Sequence, residues 1–373
     1  MAKKKVADPF KQALEKPVPI APHTYLHFYN GGKLRAKFMG EPNPKDDFYS
    51  EEWFFSTNRA VTPGRDNPPD KGFSRIFLPD GKAVLLQELL EKYPVECLGA
   101  KHHKRFGTKL GILVKIFDVG EDAHIPVHWH PSPEFSKAHL NDPNGKNEAW
   151  VVLDTRPGAK TWVGWKEDVP VETFMKWLKD GNRQAMIDHM HVFEPKPRDI
   201  IFLRDSYPHS LGSGVCIMEP QEPTDWNILA EWGGEFPFGS RDAACGLDWD
   251  VAIKACTFEK MPLDYLNGYV RRTPEVIRRE GESVEEKLVP DEAKKYFDCK
   301  RAIVRGQLTM PDGLGFYCVS GISGKGALQG KFGELPMGKG KFYFIPACLP
   351  GFKLVSEGSA ALEAMLFFPP AVG

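Results

Sequence analysis

Short apolar runs of roughly four to eight residues, separated by turns rich in proline and glycine, dominate this chain. Residues 111–117 (GILVKIF) read as a buried strand, and residues 151–153 and 200–203 carry the same short apolar signal. Leucines at helical spacing over residues 84–93 end at a proline and predict an amphipathic helix. A further helical pattern covers residues 171–189. The pattern as a whole predicts an all-β (β-rich) fold with helical insertions.

The pattern changes twice along the chain. After residue 240 the segment 241–300 reads as helical or irregular, and its charge-dense run 276–287 indicates a solvated helix or loop face. Residues 301–373 return to short strands and turns. A chain of 373 residues can form two ordinary domains. We therefore predict an N-terminal β domain over 1–240 that contains both helical patterns, a connecting segment over 241–300, and a smaller β domain over 301–373.

The charge balance narrows the class of partner. Lysine and arginine total 49 against 50 for aspartate and glutamate, so the formal net charge is −1. This composition offers no large basic field for nucleic acid or an anionic membrane, and it leaves a small molecule as the expected partner. The seven cysteines stand singly and the N-terminus lacks the apolar run of a secretory signal, which together favour a cytoplasmic location. The oligomeric state is left open.

The strongest chemical signal is the pair His128 and His130 in the stretch His-Trp-His-Pro. Histidines two residues apart on a strand project from the same face, about 6.6 Å apart at a rise of about 3.3 Å per residue. Both imidazoles can then converge on one metal ion. Two edge histidines satisfied by water are the ordinary alternative.

Two further residues complete a candidate metal set. Glu148 opens the apolar strand that contains residues 151–153, and His209 ends a turn and strand that begins near residue 198. Three imidazoles and one carboxylate would leave coordination positions open for water or substrate, which is the arrangement of a catalytic rather than a structural metal site.

The ordered motifs resemble those of the type I phosphomannose isomerases of the cupin superfamily. The corresponding stretches are KIFD (115–118), HWHP (128–131), PEFSK (133–137), GKNEAW (145–150) and residues 198–209. Weaker similarity reaches both ends of the chain. The resemblance implies two cupin or jelly-roll β domains, with the metal in the first and a degenerate second domain that contains no histidine.

The resemblance also implies roles for individual residues. It assigns metal ligation to His130, Glu148 and His209, with His128 in the place of the family's glutamine. One divalent ion is implied, with zinc as the family's metal and manganese, iron or nickel as alternatives for a nitrogen-rich open site. Glu134 is a rival carboxylate ligand by generic cupin spacing and is otherwise a candidate substrate contact.

Two candidate catalytic residues follow from the same comparison. Lys146 lies two residues before Glu148 on the same face of the strand, where it could contact substrate or transfer a proton. Glu219 matches the glutamate of the family's Glu-x-Gln-Gln stretch. A surface lysine in a salt bridge and a structural glutamate are the ordinary alternatives.

One segment departs from the family. Its members carry an arginine after the last histidine motif, whereas residues 223–229 here (PTDWNIL) contain none. Recognition of a phosphate favours a guanidinium or an equivalent cation. Either Arg204, Arg241 or Lys146 therefore replaces it, or the substrate is not the usual hexose phosphate.

The resemblance implies a metal-dependent aldose–ketose isomerase that acts on mannose 6-phosphate or a related sugar or sugar phosphate. Such a reaction moves a proton between adjacent carbons through an enediol. Two alternatives stay open at this point. One is a metal-dependent cupin oxygenase or decarboxylase, and the other is a cupin that binds sugar without turnover.

Overall fold

Short antiparallel strands form most of the computed structural model, which describes residues 8–62, 64–65 and 68–372. The strands are β1 (Val18–Ala21), β2 (Thr24–Tyr25), β3 (Glu51–Phe55), β4 (Arg75–Phe77), β5 (Ala83–Leu85), β6 (Leu113–Asp118), β7 (His128–Trp129), β8 (Glu148–Thr155), β9 (Thr161–Trp165), β10 (Met190–Phe193), β11 (Ile200–Leu203), β12 (His209–Leu211), β13 (Val215–Gln221), β14 (Ile228–Leu229), β15 (Arg271–Arg272), β16 (Glu275–Glu280), β17 (Ser283–Lys287), β18 (Asp298–Val304), β19 (Gln307–Met310), β20 (Tyr317–Ser323), β21 (Lys325–Gly330), β22 (Gly333–Gly338), β23 (Phe342–Ile345), β24 (Phe352–Ser356) and β25 (Leu362–Phe368). The predicted β-rich class is confirmed.

Short helices connect these strands. They are α1 (Pro9–Ala13), α2 (Lys33–Met39), α3 (Leu86–Lys92), α4 (Pro94–Leu98), α5 (Ala100–Phe106), α6 (Pro133–His139), α7 (Val171–Lys179), α8 (Arg183–Asp188), α9 (Ser240–Ala243), α10 (Trp249–Ala252) and α11 (Leu263–Tyr265), with 3-10 turns at Ile253–Ala255 and Asp291–Lys295 and a π-helical turn at Leu266–Val270. Among the described residues, none of the helices is long and apolar enough to cross a membrane.

Helices form within both regions with helical patterns, although residues 84 and 85 belong to β5. In α3 the leucine stripe of Leu86, Leu89 and Leu90 is fully buried, and the helix ends at Lys92 because Pro94 starts the next one. The second region forms α7 and α8, and α7 buries Phe174 and Leu178 on its inner face. These stripes pack into the core, as their spacing indicates.

Two sheets enclose the candidate site. The carboxylate sheet has the strand order β15-β11-β8-β13-β6-β3-β2, and the histidine sheet has the order β10-β9-β12-β7-β14. Every residue of β6 and β13 is buried, which explains why the run 111–117 is apolar apart from Lys115. A charged side chain on these strands therefore has no route to bulk water and must find its partner inside.

The C-terminal strands form two more sheets. The large C-terminal sheet has the order β16-β17-β18-β25-β20-β23-β1-β4-β5, and the small C-terminal sheet has the order β19-β24-β21-β22. Strand β1 pairs with β23 in antiparallel register, with Val18 opposite Phe344. The division of the chain at residues 240 and 300 stays a prediction, and residues 18–21 share a sheet with the C-terminal strands.

One local expectation is wrong. The charge-dense run 276–287 does not form a solvated helix or loop face but the antiparallel pair β16 and β17. Opposite charges face each other across the pair, and the Arg278 Nη2 atom lies 2.8 Å from Glu285 Oε2. Cross-strand ion pairs of this kind stabilise an antiparallel pair. The exposed Val276 and Ile277 lie on the outer strand of this sheet.

Candidate active site

Three histidine side chains converge at the histidine sheet. His128 on β7 lies directly opposite His209 on β12, and His130 follows β7 immediately. The ring centroids are 4.0 Å apart for His128 and His209, 4.8 Å for His130 and His209, and 5.1 Å for His128 and His130. One nitrogen of each ring lies within 4.8 Å of the other two. The imidazoles of the His-x-His pair thus lie together, as their spacing indicates. His209 joins them from the neighbouring strand.

Each of these rings is oriented by a backbone carbonyl. The contacts are His128 Nδ1 to Pro126 O at 2.8 Å, His130 Nδ1 to Trp226 O at 3.0 Å, and His209 Nδ1 to Tyr207 O at 2.8 Å. A carbonyl only accepts, so each Nδ1 carries a proton, and the Nε2 atom of each ring is left as the possible metal ligand. This is how metal-binding histidines are usually held, with the second ring nitrogen fixed by an outer partner.

Glu148 reaches this cluster from the facing carboxylate sheet. Its Oε2 lies 3.1 Å from His130 Nε2, and its Oε1 lies 3.4 Å from His209 Nε2. His130 Nε2, His209 Nε2 and Glu148 Oε2 are buried and have no hydrogen-bond partner among the described residues. Buried polar atoms without a hydrogen-bond partner are costly, and these three lie close enough together to fit around a divalent cation, although Glu148 also forms an ion pair with Lys146. The donor set of imidazoles and a carboxylate suits zinc and other divalent transition metals.

Burial and neighbouring charges set the protonation of His128, His130 and Glu148. Burial lowers the pKa of His130 to about 3, with Lys146 acting in the same direction, and it lowers the pKa of His128 well below the ordinary value. Burial alone would raise the pKa of Glu148, but Lys146 and His130 together hold it well below its ordinary value. Neutral imidazoles and an ionised carboxylate are the forms that bind a metal.

The two predicted catalytic residues lie beside the cluster. The Nζ atom of Lys146 is 3.2 Å from Glu148 Oε2 and 4.0 Å from Glu219 Oε1, and it donates to Asn227 Oδ1 at 2.7 Å. Trp150 donates from Nε1 to both carboxylates, at 2.9 Å to Glu148 and 3.1 Å to Glu219. Burial, reinforced by the charge of Glu148, raises the pKa of Glu219 to about 7.

A cavity of about 50 Å³ lies between the two sheets. The predicted residues that line it are His128, Lys146, Glu148 and Glu219. Eight further side chains with polar groups line the cavity, and none of them has a role predicted from the sequence: His27, Tyr29, Glu51, Thr62, Lys115, Trp150, Asp225 and Asn227. The signal for Lys115 was a single lysine inside an otherwise apolar strand, which a buried strand accommodates only when the ammonium has a partner.

The other predicted residues lie elsewhere. Glu134 is an exposed residue in the first turn of α6, Arg204 is exposed just after β11, and Arg241 is exposed on α9. None of the three is among the described residues that line the cavity. Their binding roles stay predictions, and the geometry brings together the six others: His128, His130, Lys146, Glu148, His209 and Glu219.

The choice between Glu148 and Glu134 as the carboxylate ligand of the metal gives a direct prediction. Glu148→Gln is expected to weaken binding of Zn²⁺ by about 10- to 100-fold, because a charged ligand becomes a neutral amide. Glu134→Gln should leave the affinity unchanged, since Glu134 is exposed on α6. Competition titration of the two purified variants with a zinc-selective chelating dye measures both values. The opposite ranking would transfer the carboxylate role to Glu134.

Comparison of the sequence with known proteins finds relatives that are named mannose-6-phosphate isomerases. No family model matches the chain. It is 24% identical over 340 residues to YvyI of Bacillus subtilis (strain 168), provisionally named a mannose-6-phosphate isomerase, which covers 91% of this chain and 96% of that protein. It is 23% identical over 286 residues to the mannose-6-phosphate isomerase ManA of the same strain, covering 75% of this chain and 84% of ManA.

Solved structures agree with these sequence similarities. The crystal structure of the mannose 6-phosphate isomerase from Bacillus subtilis superposes with a TM-score of 0.71 at 19% identity, over 94% of this chain and 99% of that one. The crystal structure of a variant of phosphomannose isomerase from Salmonella typhimurium superposes with a TM-score of 0.70 at 15% identity, over 95% of this chain and 100% of that one. At these identities the structures establish a shared fold over nearly the whole chain.

Proposed function

Because this chain is a divergent relative of the mannose-6-phosphate isomerases, we propose that it is a metal-dependent isomerase that interconverts an aldose and a ketose. The substrate is mannose 6-phosphate or a related sugar or sugar phosphate. The observation that carries the proposal is a buried cluster of three imidazoles and a carboxylate beside a cavity that is also lined by a lysine and by a second carboxylate of raised pKa.

The metal site consists of His128, His130, Glu148 and His209. Zinc is the metal we propose, with manganese, iron and nickel as the alternatives that the nitrogen-rich set allows. A bound divalent ion supplies Lewis acidity, which stabilises negative charge on the oxygens of the sugar. Everything else that the reaction needs comes from the side chains around the ion.

Glu219 is suited to carry the proton. With a pKa near 7, its carboxylate can take the proton from the second carbon of the aldose and give it back to the first carbon. The electron pair of the broken C–H bond forms the carbon–carbon double bond of the enediol, and the carbonyl oxygen takes up a proton from solvent. Glu219 then returns its proton to the first carbon, the second oxygen gives its proton back to solvent, and its electron pair forms the carbonyl bond of the ketose.

Lys146 is suited to orient the reacting oxygens. Its ammonium is held by Asn227 and Glu148, so it presents its remaining hydrogen-bonding capacity from a fixed position in the cavity. A donor fixed beside the reacting oxygens stabilises charge as it develops without reorganising. The Trp150 indole donates to both carboxylates and so fixes Glu148 and Glu219 relative to each other.

A second candidate function has one specific observation in its favour. His128 gives the site three imidazoles and a carboxylate, a set that metal cupins of other reaction classes also use. An oxygenase would require a redox-active metal and would consume dioxygen. An oxygen electrode applied to iron- and manganese-loaded protein separates the two candidates.

The substrate preference gives a further prediction. Mannose 6-phosphate is expected to be a poor substrate, with kcat/KM below about 10⁴ M⁻¹ s⁻¹, the lower end for typical enzymes. The reason is that the cavity-lining cations Lys115 and Lys146 are already paired with carboxylates, and Leu229 lines the cavity within the segment that lacks the family's arginine.

The test is a panel of free and phosphorylated aldoses given to metal-loaded protein, with deuterium incorporation from solvent at the second carbon followed by NMR. Exchange into free sugars with weak exchange into mannose 6-phosphate is the expected result. Efficient turnover of the phosphate would show that another cation holds it. Binding without exchange in every case would point to a non-catalytic sugar-binding protein and refute the proposed function.

A further inference from the structure

A row of charged side chains crosses four neighbouring strands of the carboxylate sheet. Glu148 on β8 is followed by Glu219 on β13, Lys115 on β6 and Glu51 on β3, and Glu219 lies directly opposite Lys115 in the strand register. The Nζ atom of Lys115 is 3.3 Å from Glu219 Oε1 and 3.6 Å from Glu51 Oε2. The row thus links the metal cluster to the far side of the same cavity.

The row ends at His27, which lies just beyond β2. Glu51 is held by the Tyr29 hydroxyl at 2.7 Å and by the Trp53 indole at 2.9 Å, and its Oε1 lies 3.5 Å from His27 Nδ1. His27 is buried, with 4% of the residue's surface exposed, and it lines the cavity. The Glu51 carboxylate therefore fixes the position of the His27 ring, and the Tyr29 and Trp53 side chains fix the position of that carboxylate.

The other ring nitrogen of His27 has no partner. Its Nε2 is buried and has no hydrogen-bond partner among the described residues. Burial lowers the pKa of His27 to about 3 despite the charge of Glu51, so the ring is neutral at physiological pH. With its proton on Nδ1 towards the Glu51 carboxylate, the ring keeps a lone pair on Nε2.

We propose that His27 is a substrate-binding residue whose Nε2 accepts a hydrogen bond from a hydroxyl group of the sugar. This inference rests on the proposed function, because a polyhydroxylated substrate is what supplies such a donor in this cavity. The role is distinct from metal binding, since the cluster of potential metal ligands among the described residues consists of His128, His130 and His209. It places a contact with the sugar at the end of the charged row farthest from Glu148.

His27→Phe tests the proposal because it keeps an aromatic ring and removes both nitrogens. We expect kcat/KM to fall by about 5- to 10-fold through a raised KM with little change in kcat, which is the loss of one neutral hydrogen bond present in both ground and transition states. His27→Gln returns a polar group close to the position of Nε2 and should restore most of the lost affinity. The metal content of both variants should equal that of the unaltered protein.

His102→Phe is the matched control. His102 is also buried, and its Nδ1 likewise has no partner among the described residues, but it lies on α5 and outside the cavity. Its substitution should leave KM unchanged, which separates a binding role from the general effect of altering a buried histidine.

The other possible results of these experiments also decide whether His27 binds the sugar. An unchanged KM in folded His27→Phe, or loss of metal from it, would overturn the role in sugar binding while leaving the isomerase intact. If His27→Phe does not fold, His27→Gln decides instead: a KM raised by more than about 10-fold, despite its polar group, would count against a simple acceptor role. If the unaltered protein turns over no sugar, the proposed function itself fails.

Discussion

His130→Ala is expected to reduce bound metal from about one ion per chain to near zero. The His130 Nε2 atom is buried, lacks a protein hydrogen-bond partner and lies 3.1 Å from Glu148 Oε2, so no neighbouring solvent can replace it easily. Lewis-acid stabilisation contributes several kcal/mol to such reactions, and each interval of about 1.4 kcal/mol is tenfold in rate. Activity should therefore fall by about 10³-fold or more. Inductively coupled plasma mass spectrometry after gel filtration measures the metal directly.

His139→Ala is the control for this experiment. His139 is exposed near the end of α6, and its ring contacts Phe135, so its loss should leave the metal content unchanged. A thermal melt with and without added Zn²⁺ gives a second measurement, since a ligand that binds only the folded state raises the melting temperature. The His130→Ala protein should lose that increase. Full metal occupancy in His130→Ala would refute the ligand assignment.

Glu219→Gln is expected to abolish proton transfer while the metal remains bound. General acid–base catalysis by a positioned side chain contributes about 10²- to 10⁴-fold, and an amide cannot carry the proton. The fall should appear in kcat, because the substitution preserves the shape of the side chain and the Trp150 indole can still donate to its oxygen. Deuterium incorporation at the second carbon of the sugar should fall in parallel.

Glu222→Gln provides a matched control for Glu219→Gln. Glu222 lies three residues further along, is also buried, and has a pKa that burial raises to about 7, but it accepts hydrogen bonds from Asn147 and does not line the cavity among the described residues. Its substitution should lower kcat much less. Equal losses of kcat in the two variants would show that the effect comes from altering the buried carboxylate region rather than from the proton carrier.

The metal cluster could be predicted from sequence because its rules are local. Side chains two residues apart on a strand project from the same face, and this rule alone predicts that His128 and His130 lie together. Glu148 and His209 required the order of motifs in a known family, since nothing in the chain itself indicates that β8 and β12 meet. The resemblance supplied the proximity of these two residues across the facing sheets, which local periodicity cannot predict.

The rest of the site could not be predicted because it depends on long-range neighbours. Lys115 and His27 are single polar residues inside apolar stretches, and their roles appear only when β6, β13 and β3 are adjacent. The prediction for residues 276–287 was wrong for the same reason. The charges of these residues indicate solvent when the segment is considered alone, and they indicate a paired strand once Glu285 lies across from Arg278.

The pairing of β1 with β23 has a consequence for the order of folding. Residues 18 and 19 leave the ribosome early, but their partners at 344 and 343 are synthesised more than three hundred residues later. Contacts so far apart in sequence close slowly, because a long loop must be ordered first. The nascent N-terminal segment therefore waits with an unpaired edge through most of translation, and that interval is when a chaperone that recognises exposed strands has its opportunity to act.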